Sequence, residues 1–266
     1  MPKLGKAWSK LRWSVAQRGL GGTLRFALHR ARRQSTEEAK PQRHPFDERY
    51  GVDTSGLIGG GDLRSGHRND VFNTAYYGMA PSRFRTVIDA WIADESHVAI
   101  EEYSFVDLGC GKGRAVMMAS ELRFREVIGV ELNAALARIA EKNLALWTGA
   151  GRAVSPVRIV CQEATEFVFP EGHCLLYLFN PFAAPVVRQL IERIEADFAL
   201  RPRILDLVYF NPESAELLDA HGGFELLWTG TVAMSEEDSE VDHVASADDL
   251  CSVYRWVGRG VGADGK

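Results

Sequence analysis

Between residues 103 and 257, short apolar runs alternate with stretches whose apolar residues recur every three or four positions. The runs at 105–108, 127–130, 157–161, 174–179 and 204–210 have the length of strands and are rich in Val, Ile, Leu, Phe and Tyr. The stretches at 115–122, 133–147, 185–199 and 212–220 each carry one apolar stripe and predict helices, the last ended by Gly222-Gly223. Two further runs, 224–232 and 251–257, predict a closing pair of strands. Regular alternation of strand and helix predicts an α/β fold, a doubly wound parallel sheet with its ligand at the carboxyl ends of the strands. Upstream, Pro81-Ser82 opens a predicted helix over 83–93 with Phe84, Val87, Ile88 and Trp91 on one face. Residues 46–61 are aperiodic and glycine-rich, which predicts ordered loop rather than helix or strand. Residues 235–250 are rich in Asp and Glu and too long for a tight hairpin, which predicts a solvated, disordered loop.

Candidate chemistry concentrates at the first strand-to-helix junction, Phe-Val-Asp-Leu-Gly-Cys-Gly-Lys-Gly-Arg over 105–114. Glycines at 109, 111 and 113 permit positive φ and remove side chains that would hold a ligand away. The predicted helix that follows turns its N-terminal end toward the space above the strand, and the whole turn reads as a nucleotide cradle. A dinucleotide-binding G-x-G-x-x-G turn needs its third glycine where Arg114 stands, and Asp107 would repel a pyrophosphate. A carboxylate there suits a ligand bearing an amine or sulfonium cation. Glu131 ends the second strand 22 positions beyond Gly109, where an acid is placed to accept hydrogen bonds from both ribose hydroxyls or to cap the next helix.

The run Asp107-x-Gly109-x-Gly111-x-Gly113 resembles the first motif of the class I S-adenosylmethionine-dependent methyltransferases, and Val-Ile-Gly-Val-Glu131-Leu132-Asn resembles their second. The resemblance spans about 103–257 and extends more weakly to Phe46, where the Tyr50-Gly51 segment with Asp53 and Thr54 is similar to the stretch before the catalytic domain in a group of bacterial members. It implies a mostly parallel seven-stranded sheet with an antiparallel C-terminal edge. It also implies S-adenosyl-L-methionine held by Asp107, Gly109, Cys110, Gly111, Gly113, Glu131 and Leu132. Gln162-Glu163-Ala164 stands where the family often has Gly-Asp-Ala, which implies that Glu163 and Ala164 meet the adenine; a helix-capping carboxylate is the other reading of Glu163. Asn180-Pro181-Phe182 resembles the Asn-Pro-Pro-aromatic motif of nitrogen-directed methyltransferases shortened by one proline. It implies that Asn180 accepts from a substrate nitrogen while also bordering the cofactor, and that Pro181 and Phe182 shape the acceptor site; a strand-ending Asx turn is the alternative. Tyr76, Tyr77, Asp53 and Thr54 then belong to a substrate-contacting lid, or to a structural wrap with the tyrosines as anchors. Methyl transfer by direct displacement needs little acid–base help, which agrees with seven scattered histidines of which His67, His173 and His221 read as loop or cap residues. The acceptors open to such a site are a protein side-chain nitrogen, a small-molecule amine and a nucleobase, with oxygen behind them. A cofactor-binding scaffold without turnover and an NAD(P)-dependent oxidoreductase are the competing functions.

Charge divides the chain. Residues 1–44 hold 11 Lys/Arg against 2 Asp/Glu, a charge of +9, and the remaining 20 basic and 34 acidic residues give −14. Within that basic head Leu4, Trp8, Leu11 and Val15 recur at helical spacing, which predicts an amphipathic helical arm suited to an anionic membrane surface or to nucleic acid phosphates, or simply solvated. The expected layout is therefore an arm and linker over 1–44, a lid preamble with a helix over 45–102, the catalytic core over 103–258 and a tail over 259–266. Four cysteines without a C-x-x-C pair predict a reducing compartment and no structural metal. No apolar run reaches about 18 residues and the first residues lack a signal-peptide pattern, so a cytoplasmic protein is expected, with the arm its only point of membrane contact.

Overall fold

A computed structural model describes residues 43–94, 98–199, 203–242 and 248–258. The basic arm and the tail lie outside the described residues. From Arg43 onward the chain forms one compact unit, so the 45–102 segment packs on the core rather than forming a body of its own.

The centre of the molecule is a seven-stranded sheet built from β3 (Tyr103–Leu108), β4 (Glu126–Glu131), β5 (Val157–Cys161), β6 (His173–Phe179), β7 (Leu205–Phe210), β8 (Phe224–Ala233) and β9 (Asp248–Trp256). Their spatial order is β5-β4-β3-β6-β7-β9-β8. The first five are parallel, and β9 enters antiparallel between β7 and β8. Both the doubly wound sheet and its antiparallel edge are as expected. Every residue of β3 is buried, which is why apolar side chains occupy both of its faces and do not alternate with polar ones. From β3 the chain winds outward to β4 and β5, then crosses to β6 and β7 on the other side. The ends of β3 and β6 thus flank the switch in winding direction, where open parallel sheets bind ligands.

Two cores cover the two faces. Side chains at odd-numbered positions of β3 and β6, including Phe105 and Tyr177, pack with Phe84, Val87, Ile88 and Trp91 of α2 (Pro81–Ala93), with α3 (Arg114–Ser120), and with Leu144 and Trp147 of α4 (Ala134–Gly149). Even-numbered positions such as Val106 and Leu176 face α5 (Ala184–Phe198) and Leu218 of α6 (Ala215–Asp219). Asp107 is therefore an acid on the face that otherwise carries Phe105.

Two sequence expectations fail. The aperiodic stretch after 45 begins with a helix, α1 (Pro45–Tyr50), that is too short to show a period. It has a proline in its first turn, a His44 side chain accepting from the Phe46 N–H, and Gly51 at φ 69° closing it. Further on, β1 (Leu57–Ile58) pairs antiparallel with β2 (Tyr76–Tyr77). The acidic connection between β8 and β9 likewise starts with a helix, α7 (Glu236–Val241), opened by Ser235 accepting from the Asp238 N–H. Asp238 is buried and accepts from both the N–H (2.8 Å) and the hydroxyl (2.5 Å) of Ser82, so it caps the first turn of α2 from a distant part of the chain. Among the described residues, no helix is long and apolar enough to cross a membrane.

Burial would raise the Asp238 pKa, but the neighbouring His44 imidazole, 3.4 Å away, and the Ser82 hydrogen bonds outweigh it and hold the pKa down to about 2. A depressed carboxylate stabilises the fold above its unfolded value of about 3.9 and loses that contribution as pH falls through the folded value. Asp238→Ala is thus expected to cost about 1–2 kcal/mol at pH 7 in urea unfolding. Its deficit relative to the unmodified protein should shrink between about pH 4 and pH 2.

Candidate functional site

Asp107 ends up on the central strand between Gly129 of β4 and Tyr177 of β6. Its carboxylate is only 4% exposed and has no hydrogen-bond partner among the described residues. Burial, and secondarily the charge of Glu131, push its pKa well above the ordinary carboxylate value. Beside it the Tyr177 hydroxyl is buried, also unpartnered, and itself pushed up by burial and by Asp107. Both open onto one cavity of about 240 Å³ above the carboxyl ends of the parallel strands.

The glycine turn wraps the edge of this cavity. Gly109, Gly111 and Gly113 take φ values of 80°, 56° and 85°, in the left-handed region. A Cβ at Gly109 would run into Pro181, and one at Gly111 into the Tyr76 ring, so both glycines are required by close approach as well. The turn's own N–H groups are mostly committed: those of Gly109 and Cys110 donate to the Val130 carbonyl, that of Gly113 to Cys110, and that of Gly111 to Glu131 Oε2 at 2.8 Å. Glu131 Oε1 accepts from the Asn133 N–H at 2.8 Å. Glu131 therefore braces the turn with one lone pair of each oxygen and keeps the others available. Burial raises its pKa, and the backbone hydrogen bonds from Asn133 and Gly111 oppose the rise. With the turn's donors spent, recognition falls to side chains.

Residues expected at the cofactor line the cavity in one arc: Asp107, Gly109, Cys110, Gly111, Glu131 and Leu132, followed by Glu163 and Ala164 beyond β5. Gly113 does not; it starts α3 and packs on Ala140. Glu163 also accepts from the Thr165 N–H and lies 3.3 Å from His67 Nδ1, so its capping role is real. On the opposite side stand Asn180, Pro181 and Phe182. Asn180 Oδ1 accepts from the Tyr209 hydroxyl at 3.3 Å, and Phe182 is 6% exposed within the second core.

The segment 63–79 roofs the cavity and separates the four residues expected in the lid. Tyr77 lines the cavity with its hydroxyl buried and unpartnered, its ring 6.1 Å from that of Phe179. Tyr76 lines it too, but is anchored, its hydroxyl donating to the Thr54 carbonyl at 2.7 Å. Asp53 and Thr54 do not line it. Asp53 pairs with Lys112 Nζ at 2.8 Å, while the fully buried Thr54 donates to Asp47 and accepts from Arg114 Nε at 2.6 Å. These two fasten the preamble to the glycine turn, Thr54 through buried hydrogen bonds and Asp53 through an ion pair at the surface. Arg114 also donates to the Met79 carbonyl at 3.0 Å and so ties the roof to the turn. At the far end the roof is stitched to the 180–183 turn: Thr74 donates to the Pro181 carbonyl (3.1 Å) and through its hydroxyl to that of Asn180 (2.6 Å), and the Ala183 N–H donates to the Phe72 carbonyl (2.9 Å).

Sequence reasoning overlooked Asn69, Tyr177 and Asn211 on the cavity wall. A signal existed for the last: Phe-Asn-Pro at 210–212 repeats Phe-Asn-Pro at 179–181.

No protein-family model matches the chain, and a search of curated proteins finds no match. A search of solved structures finds similar chains. The magnesium protoporphyrin IX methyltransferase of Synechocystis PCC 6803 with bound SAM is 13% identical, covering 66% of this chain and 80% of its own, at a TM-score of 0.45. A SAM-dependent methyltransferase from Geobacter sulfurreducens in complex with S-adenosyl-L-homocysteine is 14% identical, covering 68% and 92%, at 0.45. The 23S rRNA methyltransferase ErmE is 14% identical, covering 65% and 68%, at 0.42. The fold assignment rests on the strand order and register and not on these superpositions.

A carboxyl whose pKa is raised by folding favours the folded state while protonated, below about pH 3.9, and disfavours it once ionised above the raised value. Asp107→Asn is accordingly expected to stabilise the ligand-free protein at pH 7.5, by about 2–4 °C in melting temperature for each kcal/mol relieved. Thermal melts from pH 5 to pH 8 check this, since the gain should grow with pH.

Proposed function

We propose that this protein is an S-adenosylmethionine-dependent methyltransferase that transfers a methyl group to a nitrogen by direct in-line displacement. The observation that carries the reading is the unpartnered, buried Asp107 carboxylate at the switch point, beside a glycine turn already braced by Glu131. A buried anion without a counter-charge is costly, and a ligand bearing an ammonium or sulfonium centre relieves that cost. The residues present fit such a ligand: Asp107 for the cation, the remaining lone pairs of Glu131 for hydroxyls, and Glu163 with Ala164 for the far end of the arc. A dinucleotide fits less well, because its pyrophosphate would meet Asp107 and a turn whose N–H groups are largely committed.

When bound, the cofactor supplies an activated methyl group on sulfur. The chain's own contribution is positioning. Asn180 and Pro181 stand across the cavity from the arc, the segment from 63 to 79 covers one side of it, and no general base is required where the acceptor nitrogen has a free lone pair. The acceptor class proposed is a small-molecule or protein side-chain nitrogen. One observation favours the reading of a binding scaffold without turnover: Asn180 Oδ1 is held by Tyr209 and Phe182 is committed to the core.

Calorimetry is expected to show S-adenosylmethionine and S-adenosylhomocysteine binding with micromolar affinity and no binding of NAD(H) or NADP(H). Asp107→Asn should weaken S-adenosylmethionine binding about ten- to a hundredfold, the worth of a charge-assisted buried contact. Binding of a dinucleotide in place of either compound would reject the proposal. Transfer of labelled methyl to lysate components then separates an enzyme from a scaffold.

A further inference from the structure

Three asparagines are buried among the described residues, and two of them use their amides inside the fold. Asn143 accepts from the Asp53 N–H and donates to the Asp53 and Lys112 carbonyls, while Asn133 accepts from the Ala135 and Leu136 N–H groups at the start of α4. Asn69 differs from both. It is 4% exposed and lines the cavity, yet its side-chain amide makes no hydrogen bond among the described residues, and its Nδ2 is buried without a partner. A buried amide donor left unpaired is costly, and native folds hold few of them.

The neighbours of Asn69 fix it at one end of the cavity. It belongs to a single turn of 3-10 helix, Arg68–Phe72, that packs on α5. Asp70 steadies this turn by accepting from the N–H groups of Ser65 (2.9 Å) and Gly66 (2.8 Å), and the Phe72 carbonyl accepts from the Ala183 N–H. The Asn69 N–H donates to His67 Nδ1 at 3.2 Å, and the same nitrogen lies 3.3 Å from Glu163 Oε2. One imidazole thus brings Asn69 to the end of the arc where Glu163 and Ala164 stand, from the side of the preamble. Resting on the methyltransferase reading, which gives Glu163 and Ala164 the adenine end, we propose that Asn69 is a second base-reading residue, supplied by the preamble. Its Nδ2 donates to ring nitrogen N7 and its Oδ1 accepts from the 6-amino group. An asparagine amide matches that edge of adenine with two hydrogen bonds, because its donor and acceptor are spaced as the base's acceptor and donor are. The 6-amino group carries two N–H bonds, so Glu163 takes one and Asn69 the other. The donor that the protein leaves unpaired is the one that N7 satisfies, which makes Asn69 a specificity-determining residue for the cofactor.

The probes are S-adenosylhomocysteine and its 7-deaza analogue, which differ only in N7 replaced by C–H, titrated by calorimetry into the full chain. The unmodified protein is expected to bind the 7-deaza compound about ten- to a hundredfold more weakly, since the analogue covers the Asn69 donor without pairing it. In Asn69→Ala the two compounds should bind within about threefold of each other, most of the advantage of S-adenosylhomocysteine being lost. A merely structural role would weaken both compounds alike and keep the difference between them. Should the alanine variant melt below the titration temperature, Asn69→Asp keeps the side-chain size and removes the donor, and it is expected to bind the 7-deaza compound at least as well as S-adenosylhomocysteine. Equal binding of the two compounds by the unmodified protein, or the full preference surviving in either variant, overturns the assignment and leaves the methyltransferase reading standing. Binding of neither compound by the folded protein ends that reading, and the assignment falls with it.

Discussion

Two acids meet the same cavity from adjacent strands, and the structure divides their work by what is left to satisfy them. Glu131 is met by two backbone N–H groups and holds the glycine turn in place. Asp107, on a strand buried along its whole length, has no hydrogen-bond partner among the described residues. A carboxylate in that position is expensive unless protonated or paired, and its raised pKa expresses the expense. Its surroundings leave it open to the cavity. The turn is pared to glycine where Tyr76 and Pro181 press on it, and Tyr177, its neighbour in register, keeps an unpartnered hydroxyl beside it.

The segment from 63 to 79 lines the cavity beside Asp107, and it is tied to the rest of the fold at two places. One end is locked through Asp47, Thr54 and Arg114, a buried network in which every named polar group has a partner. The other is stitched to the turn that carries Asn180 and Pro181. The segment from 63 to 79 and the 180–183 turn are therefore joined by three hydrogen bonds. Asp53 and Thr54 thus belong to the fastening of the preamble and not to the cavity lining.

The sheet was legible because its central strands β3, β6 and β7 are buried on both faces, so that apolar runs such as 174–179 stand out against helical stripes and need no tertiary information. That these glycines and acids would line one cavity was legible because glycine and acid at set spacing after a strand leave few alternatives. The short helices at Pro45–Tyr50 and Glu236–Val241 escaped notice, each being under two turns and identified by caps and tertiary partners rather than by period. Asp238 looked like one of many solvated acids, and its burial against Ser82 depends on a contact 156 residues away in sequence. Asn211 escaped for a different reason: it meets the cavity beside Asn180 because β6 and β7 are neighbours, which sequence distance conceals until the register is known.

The state of the Asp107 carboxyl is the central physical claim, and it is directly observable. Titration of the carboxyl carbon by NMR, with Asp107→Asn to assign the signal, measures its pKa in the free and S-adenosylmethionine-bound protein. The expected result is a value well above about 3.9 in the free protein that falls on binding, because the arriving cation replaces the missing partner. An ordinary carboxylate pKa in the free protein, unmoved by the ligand, would contradict the claim.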